Sequence, residues 1–172
     1  MARTAEYQAR AFLQGGSRFM VVVFAALLVS AACGGGESNA PSITTVRIGS
    51  ATIHADLALT VAQKSVGLSG RDSLDRDAGL LFVYSAPQRA TFWMKDMRFP
   101  LDFVWISGDK RVVKLTEDVT PSDPEEPDVP LYFSGREVGY VLEVNAGAAS
   151  ELGISVGDEV TFEPEVDTTR AE

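Results

Sequence analysis

Two carboxylates stand inside runs that otherwise hold no charge: Asp102 in Leu-Asp-Phe-Val-Trp-Ile (101–106) and Glu143 in Tyr-Val-Leu-Glu-Val (140–144). A buried carboxylate without a partner costs several kcal/mol, so each must either do chemistry or be neutralised. As a pair they could be the acid and base of a glycan-cleaving site, one with a raised pKa and the two about 5 to 9.5 Å apart. The plainer arrangement is an ion pair, for which Arg71 and Lys95 are the available cations, with Arg71 fixing the loop after the first helix. A second set lies in Thr-Phe-Trp-Met-Lys-Asp-Met (91–97). Strand alternation turns Phe92, Met94 and Asp96 one way and Trp93, Lys95 and Met97 the other. Trp93 and Lys95 then form either a stacking and anion-binding platform or a buried indole with the lysine stem running past it to water. The buried arrangement is the ordinary one for a large aromatic. Arg71, Trp93 and Lys95 are the candidate binding residues.

Other chemistries find little material. The chain has one His and one Cys, short of the four N or S ligands of a structural zinc site, and one Cys forms no internal disulfide. His54 alternates with Ile53 and Ala55 and is expected to face solvent. Asp123, Glu125, Glu126 and Asp128 lack the spacing and turn glycine of a calcium loop and read as a solvated acidic loop. No Gly-x-Ser-x-Gly elbow and no phosphate-cradling glycine loop is present. Neither a metal nor another cofactor is expected. With 24 acidic against 15 basic residues, a net charge of −9 argues against nucleic acid as partner.

The lone cysteine has a distinctive setting. Phe19 to Ala32 is an uncharged apolar stretch, too short to span a bilayer comfortably; Arg3, Arg10 and Arg18 precede it, and Ser30-Ala-Ala32 leads into Cys33. That is the layout of a secretory signal peptide. Its end resembles the lipobox of bacterial lipoproteins, with Ser30 where Leu is usual, and the resemblance implies diacylglycerol on Cys33. Residues 34–42, Gly-Gly-Gly-Glu-Ser-Asn-Ala-Pro-Ser, have the composition of a flexible tether. An ordinary secretory signal and a retained apolar anchor are the alternatives. Cleavage before Cys33 would remove three arginines and Glu6, leaving the exported chain at −11.

The elements that must position these residues are short. Val46–Ile48 and Thr52–Leu59 alternate with period two, the latter with Ile53, Ala55, Leu57 and Leu59 on one side. Thr60 can cap a short helix through Leu68, its apolar residues Val61, Ala62 and Val66, with Gly67 as the stop. Leu80–Tyr84 reads as a buried strand, Thr91–Met94 as another, and Leu101–Ser107 with Lys110–Leu115 as a hairpin turning at Gly108-Asp109. Four prolines make Pro121–Pro130 an exposed loop. Val138–Val144 is a strand, Ala146–Leu152 a short helix and Glu159–Phe162 a closing strand, with a frayed tail after Pro164. The expected fold is mainly β (α+β): one compact domain, a mostly antiparallel sheet or small partly open barrel with two short helices. The expected organisation is a signal peptide over 1–32, lipidated cysteine and tether over 33–43, a globular domain over 44–164 and a disordered tail over 165–172.

Six blocks then fall in register with a known family: Gly-Leu-Ser-Gly-Arg (67–71), Gly-Leu-Leu-Phe (79–82), Phe-Trp-Met-Lys-Asp (92–96), Pro-Leu-Asp (100–102), Tyr-Val-Leu-Glu (140–143) with Asn145 and Gly147, and Gly157-Asp158. Over about residues 45–163 the chain resembles the Domain of Unknown Function 192 family. The resemblance implies a small, mostly β domain, often behind a signal or lipoprotein signal, with no established activity. The function expected is that of a bacterial envelope lipoprotein, a binding or accessory module held on the extracytoplasmic side of a bilayer by acylated Cys33, with a small-molecule or cell-wall ligand. The alternative is a cell-wall glycan hydrolase using Asp102 and Glu143.

Overall fold

The computed structural model describes residues 43–123 and 128–172. The signal segment, Cys33 and its tether, and Glu125 and Glu126 of the acidic loop lie outside them. Seven strands form one mixed sheet curled into a half-barrel: β1 Ile43–Ile48, β2 Ala51–Ala58, β3 Ala78–Phe92, β4 Leu101–Ile106, β5 Val112–Val119, β6 Tyr132–Asn145 and β7 Val160–Glu163, in the order β5-β4-β6-β3-β2-β1-β7. Helices α1 (Val61–Val66) and α2 (Ala148–Glu151) are the two short helices expected, and a 3₁₀ turn covers Thr168–Arg170.

All pairings among these strands are antiparallel except β2 with β3, which run parallel. Parallel neighbours need a crossover connection, and residues 59–77 supply it, with α1 at its start. Thr60 opens α1 through a reciprocal cap: its Oγ1 accepts the Gln63 N–H at 3.2 Å while Gln63 Oε1 accepts the Thr60 N–H at 3.0 Å. The helix buries none of its residues, and Val61 and Val66 are 62% and 60% exposed. Val61 and Val66 border a groove instead of entering the core.

The central strands are covered on both faces. In β4 every residue is buried, with Leu101, Phe103 and Trp105 entering one core and Val104 and Ile106 the other. One core is mostly aliphatic, with the Tyr140–Phe162 ring pair inside it, built from β1, β2, β7 and the inner positions of β3, β4 and β6. The other is aromatic: Phe82 meets Phe92 edge-on at 4.7 Å, Phe92 meets Trp105 at 5.5 Å, and Phe103 meets Trp105 at 5.9 Å.

Two expectations are corrected. Thr91–Met94 is no separate strand, because β3 runs unbroken from Ala78 to Phe92, its register to β6 shifting across the exposed stretch that holds Pro87, between Val83 and Gln88, and again between Arg89 and Thr91. A proline inside a strand is accommodated by such irregularity rather than by termination. The tail is not frayed either. Val166 and Ala171 are buried in the aliphatic core, and the Glu172 N–H donates to the Leu59 carbonyl at 3.0 Å.

Candidate functional site

The register of β6 decides what the two carboxylates can do together. Asp102 sits opposite Val144, and Glu143 opposite Phe103 and Leu80. Directly paired residues project to the same face and successive ones to opposite faces, so Asp102 points to the aliphatic side and Glu143 to the aromatic side. The sheet itself lies between them. They share no cleft, and the glycan-cleaving pair is overturned.

Asp102 is a structural tie. Between Leu101 and Phe103 the pairing to β5 slips, so that Glu117 and Asp118 together oppose Asp102 as a bulge, with Asp118 in the left-handed region at φ 55°. The N–H of Asp118 donates to Asp102 Oδ1 at 2.9 Å. Oδ2 accepts the Ala149 N–H at 3.0 Å, in the first turn of α2, whose N-cap Gly147 has no side chain to offer. One carboxylate thereby serves a bulge and a helix start that lack local acceptors.

Glu143 is different. It is 5% exposed, its Oε2 is buried without a hydrogen-bond partner, and loss of solvation pushes its pKa up to about 8. The expected ion pair with Arg71 is not formed: Arg71 holds Asp56 at 3.0 Å. Lys95 is exposed, joined to neither carboxylate, and its carbonyl accepts the Ser69 hydroxyl at 3.1 Å. Asp56 is nearer to Arg71 because β2 leads directly into the crossover loop that carries the guanidinium.

Glu143 opens into a groove of about 590 Å³ between α1, the following Gly67–Ser69 turn and β3. Leu68, Phe82 and Phe92 line its depth, and Val61, Val66, Trp93 and Leu131 stand around it as exposed apolar side chains. Trp93 is 54% exposed, which corrects the buried arrangement. The alternation through Phe92, Trp93, Met94 and Lys95 does hold as buried, exposed, buried, exposed. Trp93 faces the groove while Lys95 is not among its lining residues, so the platform of Trp93 with Lys95 is only half assembled. The cation present is Lys64 of α1, its Nζ 5.1 Å from the centre of the Tyr84 ring and bonded to the main-chain oxygen of Glu172. Burial lowers the Lys64 pKa, partly offset by Glu172. Burial, reinforced by the Glu143 charge, pushes Tyr84 up to about 12. Sequence reasoning missed Lys64 and Tyr84. The signal was a capped helix too short and too thinly apolar to seek the core.

Other sequence candidates stay apart. His54 is exposed, its Nδ1 3.4 Å from Thr45 Oγ1, and Asp123 and Asp128 are exposed. Among the described residues no three His, Cys, Asp or Glu side chains gather as metal ligands would. A second depression of about 510 Å³ beside α2 has satisfied polar groups: Asn145 Nδ2 donates to the carbonyls of Leu74 and Asp75 at 3.0 and 3.1 Å, and Arg76 pairs with Glu151 at 3.0 Å. The groove over Glu143 holds the one unsatisfied buried side-chain atom among the described residues.

Residues 44–162 match the model of the family described as DUF192, Uncharacterized ACR. A crystal structure from Sinorhizobium meliloti 1021, of a protein named as a candidate transcription regulator, is 29% identical, with a TM-score of 0.66 over 72% of this chain and 95% of that one. One from Novosphingobium aromaticivorans DSM 12444, of a protein of unknown function, is 30% identical, with a TM-score of 0.62 over 74% of this chain and 99% of that one. No curated protein matches the chain.

Proposed function

The chain belongs to the Domain of Unknown Function 192 family, and from that premise we propose that it is a lipid-tethered binding module of the bacterial cell envelope whose ligand occupies the groove over Glu143. One observation carries the binding role: Glu143, one of whose carboxyl oxygens is buried without a partner, lines a concave, aromatic-lined space ringed by exposed apolar side chains. A small-molecule site has this make-up, an apolar cavity of a few hundred Å³ with a few polar groups inside it. A core has no use for the arrangement, since a satisfied or apolar residue at position 143 would be cheaper.

The envelope location rests on the N-terminal sequence: three arginines, a short apolar core, small residues before Cys33 and a glycine-rich tether. Strand β1 begins at Ile43, so the tether of residues 34–42 spans at most about 30 Å when extended. That reach would keep the domain next to the headgroups. The regulatory role suggested by the name of the Sinorhizobium protein is not carried over, because a chain of net charge −9 is poorly suited to a phosphate backbone.

Two measurements test the reading. Cys33→Ser should abolish partition of the expressed chain into the detergent phase; unchanged partition would sink the acylated anchor. A thermal-shift screen of cell-wall fragments, sugars and small organic molecules should find compounds that raise the Tm of the native chain by mass action. The shift should vanish in Val66→Asp, which puts a charge on the groove border. A hit whose shift survives that substitution binds elsewhere, and the groove assignment fails.

A further inference from the structure

The chemical class of the ligand follows from what surrounds Glu143, an inference that rests on the groove being a binding site. A carboxyl group with a bare oxygen is stabilised most by a donor that carries positive charge, since charge-assisted hydrogen bonds are about twice as strong as neutral ones. Around it stand Phe82, Tyr84, Phe92 and Trp93. Aromatic faces attract organic cations, most strongly where water is excluded. The protein already makes this contact with itself, Lys64 Nζ resting over the Tyr84 ring at 5.1 Å.

Among the described residues no cation neutralises Glu143. Lys64 of α1 is engaged by Glu172, whose side chain also accepts the Val61 N–H at 3.3 Å. Strand β3 contributes the Tyr84 hydroxyl, and β4 presents only Leu101, Phe103 and Trp105 to this face, Asp102 lying on the other. Among the described residues, the other charged and titratable groups lining the groove are therefore Tyr84, Lys64 and Glu172. We propose that the groove binds an organic ammonium ion with an apolar body, its head group hydrogen-bonded to the Glu143 carboxylate and its body lying against Phe82, Phe92 and Trp93.

The full chain, in mild detergent, is titrated with 2-phenylethylammonium and with its neutral analogue of similar length, 3-phenylpropan-1-ol, and amide NMR shifts report entry into the groove. At pH 8 the ammonium should bind at least about tenfold more tightly than the alcohol. Its affinity should climb from pH 6 to pH 8 by up to about tenfold per unit, because a raised carboxyl must ionise to receive it. Glu143→Gln should erase the preference and the pH dependence while alcohol binding persists. The wild-type pH series decides the matter even where that variant fails to fold. Equal affinity for the two probes, or ammonium affinity that falls from pH 6 to 8, would overturn the cation proposal and leave the groove as a binding site. Absence of groove shifts with both probes at millimolar concentration would remove both readings.

Discussion

Asp102 and Glu143 look alike in sequence and differ in what satisfies them. Both are buried, and that much is legible from a single charge inside each apolar strand. Their partners are not legible. Asp102 is satisfied by main-chain N–H groups 16 and 47 residues away, in a bulge and a helix start that no side-chain pattern announces. Glu143 has no partner for Oε2, and the face it occupies is set by the β4–β6 register rather than by its neighbours. Opposite consequences follow. Asp102→Ala would leave two N–H groups without acceptors and should destabilise the fold by about 3 kcal/mol, read as a lower urea midpoint at unchanged m. For Glu143 the folded pKa, raised to about 8, lies above the ordinary 4.5. The folded state thus holds a proton that the unfolded state releases. Its favourable contribution is complete below about pH 4.5 and is lost as pH rises through 8. Glu143→Gln removes the dependence, so the variant should gain on the wild type by about 1 kcal/mol per pH unit between pH 5 and 8. Parallel stability profiles for the two proteins would show that the site is better hydrated than its burial indicates.

Among the elements, strand positions and the hairpin were legible because period two and turn residues act locally. The length of β3 and the docked tail were not. Pro87 signals a break, yet the strand passes it by shifting register, and Gly108 leaves room for it: a Cβ there would come within 2.8 Å of the Pro87 ring. The helix α1 was legible from its cap, but the exposure of its apolar residues was not, because periodicity does not say what a face packs against. Gly79 shows how tightly β6 is held against β3. A Cβ at that position would lie 2.9 Å from the Glu143 carbonyl oxygen and 3.1 Å from both Ile53 and Leu142. The obstructing atom is backbone and cannot swing aside. Gly79→Ala should therefore cost about 2 kcal/mol in chemical denaturation and displace the strand segment that carries Glu143, weakening ligand binding as well. A full-strength variant at this position would mean that the two strands separate easily.

For the molecule as a whole, the family was legible from six short blocks in register, and the structure explains what several of them do. Pro100-Leu-Asp102 builds the tie between β4, β5 and α2; Phe92-Trp93 floors and borders the groove; Tyr140–Glu143 threads the centre of the sheet; Asn145 fastens the crossover loop. The groove itself was hidden, since it is assembled from the crossover, β3 and β6, segments brought together only by topology. That topology also imposes an order in time. Strand β1 pairs with β2 immediately after it and with β7, more than 100 residues later, through Ile48 opposite Val160 and Thr45 opposite Glu163. Until the last strand leaves the ribosome, the first has an open edge and the aliphatic core lacks Val160, Phe162 and Val166. A nascent chain therefore cannot close early into its finished form, and non-local pairing of this kind is slow to form. For the export route proposed above, lateness of closure is an asset: the same strand pairing that seals the finished sheet keeps the growing chain threadable.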